Sequence, residues 1–139
     1  MAKNRSDFQE IAVLRLRESR ALLDAGFPDG AYYLAGYAVE CALKACIAKR
    51  TQEHDFPERE SKDYYIHDLE RLTALAKLKD ELDQASRTNP AMKANRIIVK
   101  NWSEESRYER NRTFQEAKEL LGAIEDQTGG LLPWVQQRW

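Results

Sequence analysis

Three guanidiniums fall within the six residues Arg107-Tyr-Glu-Arg-Asn-Arg112, directly ahead of Thr113-Phe-Gln-Glu116. A planar guanidinium grips phosphate through two parallel charge-assisted hydrogen bonds, so Arg107, Arg110 and Arg112 outline an anion site. Thr113 and Glu116 have the Thr-x-x-Glu spacing of a capping box, which predicts that a helix starts here. The unpaired amides and dipole of its first turn favour negative charge at the same place. Asn111 adds an amide, and Tyr108 and Trp102 offer rings on which a base could stack. The plainer alternative is a solvated loop whose arginines pair with Glu104, Glu105 and Glu109, since exposed pairs of that kind are common and weak.

Glu40 and Lys44 stand one turn apart in an otherwise apolar segment, in the order that favours an i,i+4 pair. A lone charge would be costly to bury there, so they read either as a structural ion pair or as members of a site. His67 precedes Asp68 at a second expected helix start, where it could cap or pack. Cys41 and Cys46 lie five apart in one helical pattern and point to different sides, forming neither a CxxC nor a local bridge. They read as buried, reduced thiols. Neither His54 nor His67 has zinc-ligand spacing with them or with the other. No metal and no cofactor is expected.

A chain of 139 residues with 22 basic and 23 acidic side chains, net charge −1, fits one domain spanning 1–139 that needs no staple. Its core is expected over about 7–127, with 128–139 as a C-terminal extension. The near balance of charge argues against a general nucleic-acid coat and leaves any such binding to a local patch. No apolar run approaches the roughly 20 residues of a membrane span, and the first residues lack a signal-peptide core. No membrane association and a cytoplasmic location are expected.

The elements that must position these groups read as all-α. From Asp7 to Ala25 the residues Phe8, Ile11, Ala12, Leu16, Leu22 and Leu23 share one helical face, and Gly26 ends it. Arg15 and Ser19 lie near the middle of that face, so either they reach a polar pocket or Arg15 snorkels to its edge. After a Pro28-Asp29-Gly30 turn, residues 31–48 are apolar almost all round, apart from a stripe of Gly36, Glu40 and Lys44. Such a helix is the middle of a bundle or the seam of a dimer.

Thr51 to Ile66, with Pro57, reads as a long loop. A third helix runs from His67-Asp68-Leu69 to about Ser86, burying Leu69, Leu72, Leu75, Ala76 and Leu82. Arg87-Thr-Asn-Pro90 interrupts the pattern, and Ile97-Ile-Val99 suggests a short helix. The capped helix extends from Thr113 to about Gln127 with Phe114, Ala117, Leu120, Leu121 and Ile124 inward. Pro133 suits the first turn of a short terminal helix that carries Trp134 and precedes Trp139.

Ala31-Tyr-Tyr-Leu-Ala-Gly-Tyr-Ala-Val-Glu-Cys-Ala-Leu-Lys-Ala45, His67-Asp68-Leu69 and then Trp102 with Arg107-Tyr108 resemble, in that order, the HEPN family of small helical domains. The resemblance covers roughly Asp7 to Gln127. It implies an up-and-down antiparallel four-helix bundle with short extra helices, usually a homodimer. The family includes metal-independent ribonucleases, toxins paired with nucleotidyltransferase-like antitoxins, and members that bind nucleotides or RNA. Its ribonucleases resemble one another in an Arg, commonly followed by Asn, with a His a few residues later. Arg110-Asn111 matches the first half, and Gln115 stands where the His could stand. A glutamine amide cannot serve as base for a ribose hydroxyl.

The leading expectation is a nucleotide- or RNA-binding domain, possible member of a toxin-antitoxin or defence pair, with Arg107, Tyr108, Arg110, Asn111, Lys44 and Glu40 at its phosphate site. One alternative is a metal-independent endoribonuclease in which His67 approaches Arg110 as a displaced base. Another is a non-enzymatic module for dimerisation or protein interaction, acting through the second helix or the tryptophan-bearing tail.

Overall fold

The structure is a computed structural model that describes residues 4–53 and 66–139. Among these residues all regular structure is helical: α1 (Arg5–Asp24), α2 (Pro28–Glu53), α3 (Leu69–Leu75), α4 (Lys79–Thr88), α5 (Pro90–Lys100), α6 (Phe114–Glu125) and α7 (Leu131–Gln136). A 3₁₀ turn, Glu104–Tyr108, lies between α5 and α6. The all-α class expected from the sequence is present, as seven described α-helices. Of the loop expected from Thr51 to Ile66, residues 54–65, including His54 and Pro57, lie outside the described residues, while α2 takes in Thr51.

α2 is the axis of the molecule. Ala31, Ala35, Ala38, Ala42 and Ala45 are each at most 1% exposed, and these small side chains let α1, α3, α6, α7 and the 3₁₀ turn pack against one helix. Its near-uniform apolarity therefore reflects burial inside its own chain. Pro28-Asp29-Gly30, expected as a turn, forms the first turn of α2 instead, because a proline there has no N–H to leave unpaired and its φ already suits a helix.

α1 starts at Asn4, whose side chain accepts from the Asp7 amide at 2.9 Å. It stops at Gly26, where a φ of 87° lets the Gly26 and Phe27 amides bond back to Leu23 and Leu22. Ser19, the polar residue in its apolar face, is buried and donates to the Ala31 carbonyl at 2.7 Å. Arg15 pairs at the surface with Glu18.

The helix expected from His67 to Ser86 is two helices. Lys77 adopts a φ of 60°, and the Lys77 and Leu78 amides bond to the Ala74 and Thr73 carbonyls. This is the stop used at Gly26, built here on a residue with a Cβ, so no glycine announced it. The short helix anticipated near Ile97 is a full 11 residues. Asn89 caps it by accepting from the Ala91 and Met92 amides at 3.0 and 3.2 Å, and Pro90 occupies its first turn.

The capping box at Thr113 is complete. The Thr113 hydroxyl accepts from the Glu116 amide at 3.1 Å, and Glu116 accepts from the Thr113 amide at 3.2 Å. Ala117, Leu120, Leu121 and Ile124 point inward as expected, whereas Phe114, on the first turn, is 52% exposed.

The tail is part of the core rather than a free arm. Leu131, Leu132, Trp134 and Val135 are buried, and the Trp139 carbonyl accepts from Arg5 and Gln9 of α1 at 2.6 and 3.0 Å. Removing residues 131–139 would therefore open the fold itself. No helix among the described residues is long and apolar enough to cross a membrane.

Candidate nucleotide-binding site

The stripe Gly36, Glu40, Lys44 seen in the sequence is the seat of the segment that carries the arginines. Trp102 lies flat on Gly36, so closely that any side chain at position 36 would overlap the indole. The same ring stacks on Tyr33 at a centroid distance of 6.2 Å, and Tyr33 stacks on Tyr37 at 5.9 Å. The glycine is required by this approach, not by its backbone angle. Trp102 thereby sets the 3₁₀ turn against α2.

One turn along the stripe, Glu40 is 1% exposed and Lys44 5%. The Lys44 ammonium donates to Glu40 Oε2 at 3.0 Å. His67 Nδ1 approaches both Glu40 oxygens at 3.1 and 3.2 Å, and its Nε2 lies 3.2 Å from Glu104 Oε2 at the start of the 3₁₀ turn. A carboxylate faces each ring nitrogen. The imidazole thus ties the start of α3, the middle of α2 and the 3₁₀ turn into one charged network. Asp68 performs the capping, accepting from the Arg71 amide at 2.9 Å.

Tyr37 and Cys41 complete the underside. Burial, followed by the neighbouring Cys41 and Glu40, pushes the Tyr37 hydroxyl up to about 12, and burial with Glu40 pushes the Cys41 thiol up to about 12 as well. Burial also raises the Cys46 thiol, to about 11. Both cysteines are buried and unbridged, so neither presents a thiolate near neutral pH.

The three arginines part company. Arg112 is committed to the fold. Its amide donates to Asp29 Oδ1 at 2.8 Å, its guanidinium reaches Glu109 at 2.5 Å and Glu116 at 2.9 Å, and it sits 3.9 Å above the Tyr32 ring. Glu116 is held below the usual carboxylate range, chiefly by the Thr113 amide and then by Arg112. The cap is intact at neutral pH and weakens as pH falls through that lowered value. Of the three guanidiniums clustered in the sequence, Arg112 is thus engaged within the fold.

Arg110 has no ion-pair or hydrogen-bond partner among the described residues, and with the exposed Asn111 it borders an open groove of about 650 Å³ shared with Tyr108, Glu109, Arg112 and Glu116. Arg107 lies 4.8 Å from the centre of the Tyr108 ring, and Tyr108 is 67% exposed. The Tyr108 hydroxyl, and to a smaller extent that of Tyr33, push the Arg107 guanidinium further above its already high value. Glu104 turns toward His67 and leaves both arginines without it.

A sequence model of the HEPN domain matches residues 6–126. The chain belongs to the HEPN family. Comparison with curated proteins and with solved structures returns no match. The match covers the described HEPN elements from α1 through α6, and family membership supports a nucleotide- or RNA-related function. Among the residues picked out from the sequence, this HEPN domain groups Arg107, Tyr108, Arg110 and Asn111 at the surface. Glu40, Lys44 and His67 lie beneath, joined to the surface set through Glu104. The role of Glu104 was not legible in the chain. The sequence offers it as a partner for an arginine, and no spacing signals a carboxylate that crosses to a histidine 37 residues earlier.

Proposed function

We propose that this HEPN domain binds the phosphate of a nucleotide or RNA at the loop before α6. Arg107, Arg110 and Asn111 are the contacts, and Tyr108 is the ring on which the base stacks. The observation that carries this reading is that Arg110 lies exposed without a carboxylate beside a groove whose floor is locked by Arg112. Glu40 and Lys44 are too deeply buried to meet a ligand directly. Their proposed part is to hold His67 and, through Glu104, the 3₁₀ turn.

Binding fits the geometry better than cleavage. As the displaced base, His67 would need a free nitrogen, and Glu104 occupies the one that Glu40 does not. Of the two places the sequence allows α2, the middle of a bundle or the seam of a dimer, its packing against α1, α3, α6 and α7 of its own chain fits the first. A homodimer, or a pair with a nucleotidyltransferase-like antitoxin, would therefore use another surface.

Titration of labelled single-stranded RNA and of a nucleoside monophosphate tests the proposal. Arg107→Ala with Arg110→Ala removes two phosphate contacts. At about 0.7 released counterions each, the loss near 0.15 M salt is about ten-fold, with a shallower dependence on salt. Parent-like affinity in the double variant would exclude these arginines. RNA cleavage that persists in chelator and disappears in His67→Ala would replace the binding reading by the ribonuclease one.

A further inference from the structure

Away from the arginine loop, α4 and α5 enclose a second groove of about 600 Å³, lined by Lys79, Arg87, Lys93, Arg96, Ile97 and Lys100 among others. Its volume falls within the range of about 300–1,000 Å³ typical of ligand clefts. In a chain whose net charge is −1, this concentration of cations is local. Two of them are neutralised, Arg96 by Asp83 at 2.6 Å and Glu70 at 3.3 Å, and Lys79 by Asp83 at 3.0 Å. Arg87 meets only the neutral Gln84 amide, at 3.2 Å. Lys93 and Lys100 have no partner among the described residues. The groove therefore presents three uncompensated positive charges on a wall made rigid by the other two.

The arrangement is directional. Lys93, Ile97 and Lys100 follow the i, i+4, i+7 stripe of α5, so the two lysines leave the helix about 10 Å apart along its axis. Ile97, 57% exposed between them, offers an apolar face. Lys100 is the last residue of α5, and Arg107 follows seven residues later, after Trp102 has docked on α2. Those residues span at most about 25 Å. A groove that carries cations at intervals beside the exposed Ile97, within that chain distance of Arg107, matches a single strand whose backbone is tracked by cations and whose bases rest on apolar or aromatic surfaces.

We propose that the ligand of this protein is single-stranded RNA of several nucleotides, its phosphates passing from Arg107 and Arg110 along Lys100 and Lys93 in the α4–α5 groove. The inference rests on the phosphate-binding reading of the arginine loop and deepens it, naming a strand where that reading admits a mononucleotide.

The test is a Lys93→Ala, Lys100→Ala double variant, titrated with single-stranded RNA of about twelve nucleotides and with a nucleoside monophosphate over a range of salt. Both lysines are exposed, so the fold is untouched. Two lost contacts make log K against log salt shallower by about 1.4 and weaken the RNA about ten-fold near 0.15 M, while the monophosphate binds as before. Unchanged RNA affinity and slope would overturn the groove, as would equal loss of both ligands. A parent protein that binds the monophosphate as tightly as the RNA defeats the strand while leaving the arginine loop standing. A parent that binds neither defeats both. Displacement of RNA from the arginine loop alone, with poly-glutamate held by the lysines, would make the groove a peptide surface and also overturn the proposal.

Discussion

Glu40→Ala should lower the stability of this HEPN domain by about 3–5 kcal/mol, the range seen when one partner of a buried ion pair is removed. Glu40 is almost wholly buried and accepts from Lys44 while facing His67. Its loss takes the carboxylate from beside a buried ammonium and leaves the desolvation of that ammonium in place. Urea unfolding followed by helical circular dichroism measures the change, and the melting temperature should fall on the order of 10 °C. Glu40→Gln, which keeps the hydrogen-bonding oxygen and gives up the charge, should fall between parent and alanine. Replacing both members, Glu40→Leu with Lys44→Met, should recover much of the loss, because two well-packed apolar side chains need no desolvated charge. A Glu40→Ala protein within 1 kcal/mol of the parent would show that the network contributes little to the fold.

Trp102→Ala should be comparably severe, about 3–5 kcal/mol from cavity formation and lost burial. The ring is 5% exposed and fills the space against Gly36 and Tyr33. Its indole N–H has no hydrogen-bond partner among the described residues, and neither does the buried Ser106 hydroxyl on the following turn. Each such group costs about 1–3 kcal/mol, so the seat is held by shape and apolar contact against a polar penalty. Trp102→Phe, which removes that N–H along with part of the ring, should therefore lose less than half as much as alanine. Measured side by side, a phenylalanine variant as damaged as the alanine one would mean that the indole nitrogen does find a partner. Since Arg107 rides on the turn that Trp102 seats, RNA affinity should fall in the alanine variant even at temperatures where the protein remains folded.

The fold was legible wherever a local signal had one meaning. Thr113 and Glu116 form the box that their spacing announces, Gly26 ends α1, and the 3.6-residue pattern places Leu120, Leu121 and Ile124 inside. Lys77 shows where such signals stop. The same left-handed stop that glycine makes at position 26 is made there by a lysine, so a break between α3 and α4 passed for continuous helix. The period of α6 predicts an inward Phe114, but the first turn of the helix faces solvent.

For the candidate site, residue types and clustering single out Arg107, Tyr108, Arg110 and Asn111 as candidates, and spacing pairs Glu40 with Lys44, a contact the structure contains. What spacing could not supply was long-range geometry. The meeting of His67 with Glu40 and Glu104, and of Arg112 with Asp29 and Tyr32, depends on the helices packing first. The α4–α5 groove was hidden for the same reason, its lysines being scattered along two polar helix faces until packing gathers them.

Arg112 is not among the proposed phosphate contacts, yet it bears on how tightly a ligand is held. A free loop of arginines must surrender backbone and side-chain freedom when it closes on phosphate, and that ordering entropy is subtracted from the affinity. Bonds from Arg112 to Asp29, Glu109, Glu116 and the face of Tyr32 restrict the chain on the far side of Arg110 and Asn111, so part of that loss is incurred during folding. The third arginine of the cluster thus acts through preorganisation, leaving its two neighbours less freedom to lose on binding.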